Sequence, residues 1–339
     1  MIENKYSVYV RCITYNQANY IKDALEGFCM QQTTFPFVCA IFDDASTDGE
    51  IEILKTYLND NFELDDSKIA FTKETDDYVL QYARHKDNHN CFFVVVFLKY
   101  NHWRLKKAKD IYVQEWIDLS EYKAECEGDD YWIDPLKLQK QVDFLDQHED
   151  YSMCCGGYQR FFEGALEKEI VFNKSNSSGF SFTLEDNLES WYTKTLTSMV
   201  RIKDIDDYHK SLSKHKYSRD TSFFYYVLAK GKGYYFSNIM GVYNVHPEGV
   251  FSMADNKKNA LIAANSYREL YEFNNHDMRL EKVLFNWICI VIVECYLPIK
   301  DILKEACYAQ KLVQSVGMEL KLFKSTGIGI YRRMCYGAK

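Results

Sequence analysis

The sequence has no surplus of Lys and Arg, no CxxC pair and no clean apolar run of membrane-spanning length. Lys and Arg number 41 against 49 Asp and Glu, a formal net charge of −8. Phosphate backbones are gripped by cationic surplus, so nucleic acid is excluded as the default partner. The eleven cysteines are odd in number and lack paired spacing. They fit neither a disulfide framework nor a zinc ribbon and suit a reducing compartment, so a cytoplasmic location is expected. Met1 to Val10 carries Glu3 and Lys5 and no apolar stretch of signal-peptide length, so no secretion signal is expected and the sequons at Asn173 and Asn176 carry no meaning. The most apolar window, Val283 to Ile299, is broken by Asn286, Glu294 and Pro298. It falls short of the ~20 apolar residues of a span and is expected as a buried helix.

What is present is an alternating pattern in a chain of 339 residues, 47% hydrophobic, long enough to bury a full core in one large and one smaller domain or two moderate ones. Ser7 to Ile13 reads as a strand, and Asn16 to Asn19 opens a helix to about Met30. Val38 to Phe42 is a second strand, ending in Asp43-Asp44-Ala45-Ser46-Thr47-Asp48-Gly49. Ile51, Leu54, Tyr57 and Leu58 then recur at helical spacing, with Thr47 and Glu50 as a capping box. Lys68 to Phe71 is expected as a third strand and Tyr122 to Cys126 as a fourth, which predicts an α/β fold with a mostly parallel sheet. Ligands of such sheets sit outside the carboxyl ends of the strands, where Thr14-Tyr15, Asp43-Asp44 and Asp129-Asp130 all fall.

The richest of these ends is Glu127-Gly128-Asp129-Asp130-Tyr131-Trp132. Adjacent aspartates repel, and either a divalent cation or a solvated helix-capping turn accounts for them. Asp134 is expected to cap the following helix with Pro135 in its first position, while Leu138, Val142 and Leu145 line one face. Between Asp76 and Asp118 lies a segment with an apolar core, Phe92 to Leu98, followed by the bases Lys99, Arg104, Lys106, Lys107 and Lys109. It reads as an insertion, either solvated or a lid whose cations approach a diphosphate or anionic acceptor.

Thr14-Tyr15-Asn16, the Asp43 to Gly49 segment, Glu127 to Trp132 with Asp134-Pro135, Arg219-Asp220, and Val245-His246 followed by Gly249-Val250 together resemble the ordered signature of the family 2 glycosyltransferases. The chain is most similar to bacterial members that build capsular polysaccharide or lipopolysaccharide, over about residues 5 to 252. The resemblance implies a nucleotide-diphospho-sugar transferase fold and inverting transfer from a nucleotide-sugar donor, a UDP-sugar first among them, with Mn²⁺ or Mg²⁺ on the diphosphate. It implies Asp130 as metal ligand, with His246 as a further one. Asp129 would reach the ribose or a metal-bound water, and Glu127 is a weaker candidate for either role. Tyr15 would flank the base, Thr14 would offer backbone contacts, and Asp44 would accept from a base N–H. One-step inversion needs a base for the acceptor hydroxyl, and Asp220 is the candidate, although at the N-terminus of Thr221 to Leu228 it also suits a cap. Many relatives have arginine where Asn244 stands and tryptophan where Phe251 stands, so the diphosphate contact is expected from Arg219 or the 99–109 cluster.

The expected catalytic domain is 1–252, with the insertion at 76–118, and 253–339 is expected as helical. Helices fall near Lys257 to Phe273, Leu280 to Tyr296 and Ile299 to Val316. A basic aromatic tail, Lys321 to Tyr336, suits either peripheral contact with an anionic inner-membrane surface bearing a lipid-linked acceptor or packing against the rest of the chain or a partner subunit, homo-oligomers included. Other functional classes are a sugar nucleotidyltransferase, disfavoured because Val10 to Asn16 has no glycine-rich loop, and an inactive scaffold or glycan-binding subunit.

Overall fold

The computed structural model describes residues 5–172, 178–217, 219–246 and 256–336. The sequons at Asn173 and Asn176, the residues Gly249, Val250 and Phe251, and the expected domain boundary at 252 lie outside them. The chain divides into two compact units. The first comprises 1–184, 192–206 and 227–245, and the second 185–191, 207–226 and 246–339.

Among the described residues, the first unit is built on one sheet of thirteen strands. They are β1 (Tyr6–Thr14), β2 (Phe37–Asp43), β3 (Phe62–Glu63), β4 (Phe71–Glu74), β5 (Tyr78–His85), β6 (Cys91–Leu98), β7 (Ser120–Glu125), β8 (Tyr131–Trp132), β9 (Tyr151–Phe162), β10 (Ala165–Ile170), β11 (Gly179–Phe182), β12 (Met199–Arg201) and β13 (Lys232–Val245). The helices in chain order are α1 (Ile21–Cys29), α2 (Glu50–Asn61), α3 (His102–Leu105), α4 (Gln114–Asp118), α5 (Lys137–Gln147), α6 (Leu184–Ser190), α7 (Asp206–Ser211), α8 (Asp220–Leu228), α9 (Asn256–Phe273), α10 (Glu281–Glu294), α11 (Ile299–Gln310) and α12 (Val316–Tyr336).

The middle of the sheet runs β7-β1-β2-β6, all parallel, in the mixed α/β architecture expected. Every residue of β2 and β6 is buried, because helices and loops cover both faces of a parallel sheet. Alternate residues serve opposite faces. Val8, Val10, Phe37, Cys39, Ile41 and Phe93 pack with α1, α2 and α5, whereas Tyr9, Val38, Ala40, Phe42 and Val94 pack with Val113 and Trp116.

Four expectations are corrected. The third parallel strand is β6, inside the segment read as an insertion, and Lys68 to Phe71 leads instead into β4, an exposed strand paired antiparallel with β5. An uninterrupted apolar run is the mark of a strand buried on both faces, and dense flanking charge masked it here. The capping box does not form: Gly49, in the left-handed region, is the N-cap of α2, and Glu50 points into the fold. Asp134 does not cap α5, which begins at Lys137; its carboxylate accepts from the Leu136 N–H at 3.0 Å and pairs with Lys140 at 2.7 Å. In the second unit the expected long helix from Ile299 ends at Gln310, and α12 begins at Val316.

Candidate functional site

The parallel register brings the carboxyl ends of β1 and β2 side by side, with Thr14 opposite Asp43, while β7 flanks β1 and hands the chain to Glu127 to Asp130. The turn is drawn onto β1 by the Gly128 N–H, which donates to Ile13 O at 3.0 Å. Gly128 has to be glycine, since a Cβ there would stand 2.4 Å from Thr14 Oγ1.

Glu50, which sequence reasoning assigned to a cap, holds these ends together. Fully buried, it accepts from the Thr14 hydroxyl, from the Gln17 N–H at 2.8 Å and from the Ser46 hydroxyl at 2.9 Å. One carboxylate thus ties the end of β1 to the loop after β2. Burial raises its pKa, and the three donors oppose that rise.

The two aspartates at the end of β2 have separate tasks. Asp44 is committed internally: its carboxylate accepts from the backbone N–H groups of His102 at 2.6 Å and Trp103 at 3.1 Å, capping α3, and pairs with buried Lys109 at 3.1 Å. Those bonds consume one cation of the 99–109 cluster, and Lys99 pairs with Glu74 at 2.8 Å. Asp43 is different. Its Oδ2 accepts from the Ser46 N–H at 3.4 Å, while its Oδ1 is buried with no hydrogen-bond partner. Desolvation raises its carboxyl to about 6. A buried, half-satisfied carboxylate costs stability and is a common mark of a functional site. Tyr15 follows β1, half-buried.

Asp130 is buried and Asp129 half-buried, with Glu127 exposed before them. Asp130 Oδ1 accepts from the Asn244 N–H at 2.9 Å, and the Asn244 side-chain amide donates to Asp129 O, so β13 clamps the acidic turn. The Asp130 carboxyl lies well above the usual range, first because it is buried and second because Asp129 is beside it. The opposing cation is Lys194, which no sequence motif marked. Its ammonium stands 3.5 Å from the centre of the Tyr243 ring and 5.6 Å from that of Tyr158, on an aromatic platform. Tyr243 registers the same acidic field, its hydroxyl pushed up to about 12 by burial and then by Asp130, Asp129 and Glu127.

Thr14, Tyr15, Asp44, Asp129 and Asp130 all belong to the first unit. Asp220 and His246 belong to the second. Asp220 is the first residue of α8, as its sequence position implied, and His246 is buried immediately after β13. Among the described residues no three His, Cys, Asp or Glu side chains are grouped to hold a metal ion.

No protein-family model matches the chain. A stretch of 159 residues, 47% of the chain, is 35% identical to uncharacterised proteins of Mycobacterium tuberculosis and Mycobacterium bovis. The match spans only 37% of the length of those relatives. Among solved structures, S. aureus TarS 1–349 in complex with UDP-GlcNAc superposes over 97% of this chain and 92% of its own with a TM-score of 0.55 at 14% identity. The same fragment in complex with UDP gives 0.53 at 15% identity, over 98% and 91% of the two chains. At this identity the likeness is one of fold.

Proposed function

We propose that this chain is an inverting, metal-dependent glycosyltransferase of the family 2 type, moving a sugar from a UDP-sugar or related nucleotide-diphosphate donor to a hydroxyl of a surface glycan or lipid-linked acceptor. The observation that carries the reading is the meeting of Thr14, Asp43, Glu50 and Glu127 to Asp130 at the carboxyl ends of the central parallel strands. Those ends are where such sheets bind ligands, and the fold is one in which TarS holds UDP and UDP-GlcNAc.

Each residue has a chemical task in this reading. Thr14 and Tyr15 lie along the nucleoside. The N–H acceptor for the base at this strand end is the open oxygen of Asp43, while Asp44 fixes residues 102–109. The donor set of Asp130 with Asp129 fits a Mn²⁺ or Mg²⁺ ion held by one or two carboxylates, its other positions left to phosphate oxygens and water. A cation there would also offset the burial and, after it, the repulsion from Asp129 that raise Asp130. When bound, such an ion neutralises charge on the leaving diphosphate. His246 is the proposed further ligand. Asp220 takes the proton of the acceptor hydroxyl, with α8 presenting it at a helix N-terminus. Lys194 supplies a cation that Asn244 cannot.

An inactive scaffold or glycan-binding subunit is the second reading, and Asn244 favours it, being spent on clamping Asp129 and Asp130. Calorimetric titration of UDP, GDP and their sugar conjugates, with and without Mn²⁺, separates the two. Manganese-dependent binding of one nucleotide is expected, weakened at least ~10-fold in Asp130→Ala through loss of the charged ligand. Absence of nucleotide binding to the folded protein under both conditions would sink the transferase reading.

A further inference from the structure

We infer that the outer side of α12 docks the protein on an anionic lipid surface. The helix has two apolar sides. On the inner one Leu322 and Ser325 are buried, and Gly329 packs so tightly on α10 that a Cβ would stand 2.5 Å from Ile292 O. That side is enough to hold α12 on its unit. The opposite side exposes Val316 by 72%, Leu320 by 65%, Phe323 by 82%, Tyr331 by 61% and Met334 by 72%. These five recur at helical spacing on one stripe, with exposed Gly327 in its middle and no charge interrupting it. Exposed large apolar groups occur singly on most proteins, but an aligned series along a helix marks a contact surface.

Charge selects the occupant. Between Val316 and Tyr336 stand Lys321, Lys324, Arg332 and Arg333 against Glu319 alone, an excess of three positive charges (four minus one) in a chain whose net charge is −8. Lys321 is tied to Asn286 at 2.7 Å and Arg332 to Glu294 at 2.9 Å. Lys324 and Arg333 have no ion pair among the described residues. A two-fold pairing of this face with itself would set like charges against each other. An anionic bilayer answers each feature: Phe323, Leu320 and Met334 enter the acyl boundary, Tyr331 suits the headgroup level, and the cations meet lipid phosphates. No helix among the described residues is long and apolar enough to cross a membrane, so α12 lies along the surface.

The inference uses no residue of the nucleotide site, so it is tested without nucleotide. The full chain is floated with vesicles of phosphatidylcholine alone or mixed with phosphatidylglycerol. Binding to the anionic vesicles is expected to be at least ~10-fold tighter, and to fall by a similar factor in Leu320→Gln/Phe323→Gln and in Lys324→Glu/Arg333→Glu. Circular dichroism should be unchanged, because Leu320, Phe323 and Lys324 are exposed and Arg333 is half-buried with no ion pair among the described residues. Failure of the folded protein to bind anionic vesicles, or full binding by the Leu320→Gln/Phe323→Gln variant, would overturn the inference. So would a dimer in sedimentation that this variant dissociates, which would assign the face to a second copy.

Discussion

Asp43 is kept at a cost, and the cost has a sign. Its carboxyl stands at about 6 in the fold against 3.8 for the free side chain. Between those values the folded state binds more protons than the unfolded chain, so stability falls as pH rises from about 4 to about 6 and stays reduced above. Asp43→Asn is therefore expected to raise the thermal midpoint at pH 7.5, by an amount equivalent to on the order of 2–3 kcal/mol, and to flatten the pH dependence of melting. In the same variant nucleotide binding should weaken, because the charged acceptor facing a base N–H becomes a neutral amide with one acceptor oxygen. An Asn variant that melts lower than the native chain at pH 7.5 would show that Oδ1 has a partner in solution. The acidic pair itself was legible in the sequence, but the division of labour within it was not. Asp44 looked the better acceptor until its bonds to His102, Trp103 and Lys109 were visible, and those partners lie some sixty residues away, beyond any local pattern. Lys194 was illegible for the same reason: a lone lysine before a turn acquires meaning only when β9 and β13 bring Tyr158 and Tyr243 beneath it.

At the scale of elements, helix starts were where local rules failed. Thr47 and Glu50 have the spacing of a capping box, yet tertiary demand outbids it: Glu50 satisfies three donors from two other segments, while Gly49 takes the cap position. Removing that carboxylate takes the acceptor from the Gln17 N–H and the Ser46 hydroxyl and leaves the Thr14 hydroxyl with Gln17 Oε1 alone, at 2.8 Å. Glu50→Ala should accordingly lose about 2–4 kcal/mol in urea unfolding, and Glu50→Gln, which keeps the shape and one acceptor, clearly less. Equal losses from the two would mean that Glu50 acts through its charged carboxylate, and that the shape and single acceptor retained by Gln contribute nothing. Strands fared better than caps. β1, β2 and β7 were read to within a residue or two, because alternation and apolar runs report burial directly. β6 was read as apolar but not as sheet, since a run buried on both faces has no period to betray it.

For the molecule as a whole, the sequence suggests a cut near residue 252, and the contacts of the second unit argue against making it there. Residues 207–226 precede that point yet belong to the unit formed mainly by 246–339. Tyr225 donates to Asp277 at 2.7 Å, Asn274 donates to Tyr226 at 3.0 Å, and Glu269 accepts from the backbone N–H groups of Lys216 and Tyr217 at 3.1 and 2.9 Å. The helix carrying Asp220 is thus fastened to α9 and the turn after it. A chain truncated to 1–252 would take Asp277 from Tyr225, Asn274 from Tyr226 and Glu269 from the N–H groups of Lys216 and Tyr217, leaving Asp220 on a helix without these supports. Such a fragment is expected to aggregate or to melt at least several degrees below the full chain, since these hydrogen bonds are lost together. Expression of both forms followed by light scattering and calorimetry decides it. A monodisperse 1–252 fragment with the native melting point would show that the helical region is dispensable to α8, and would return the boundary to where the sequence alone put it.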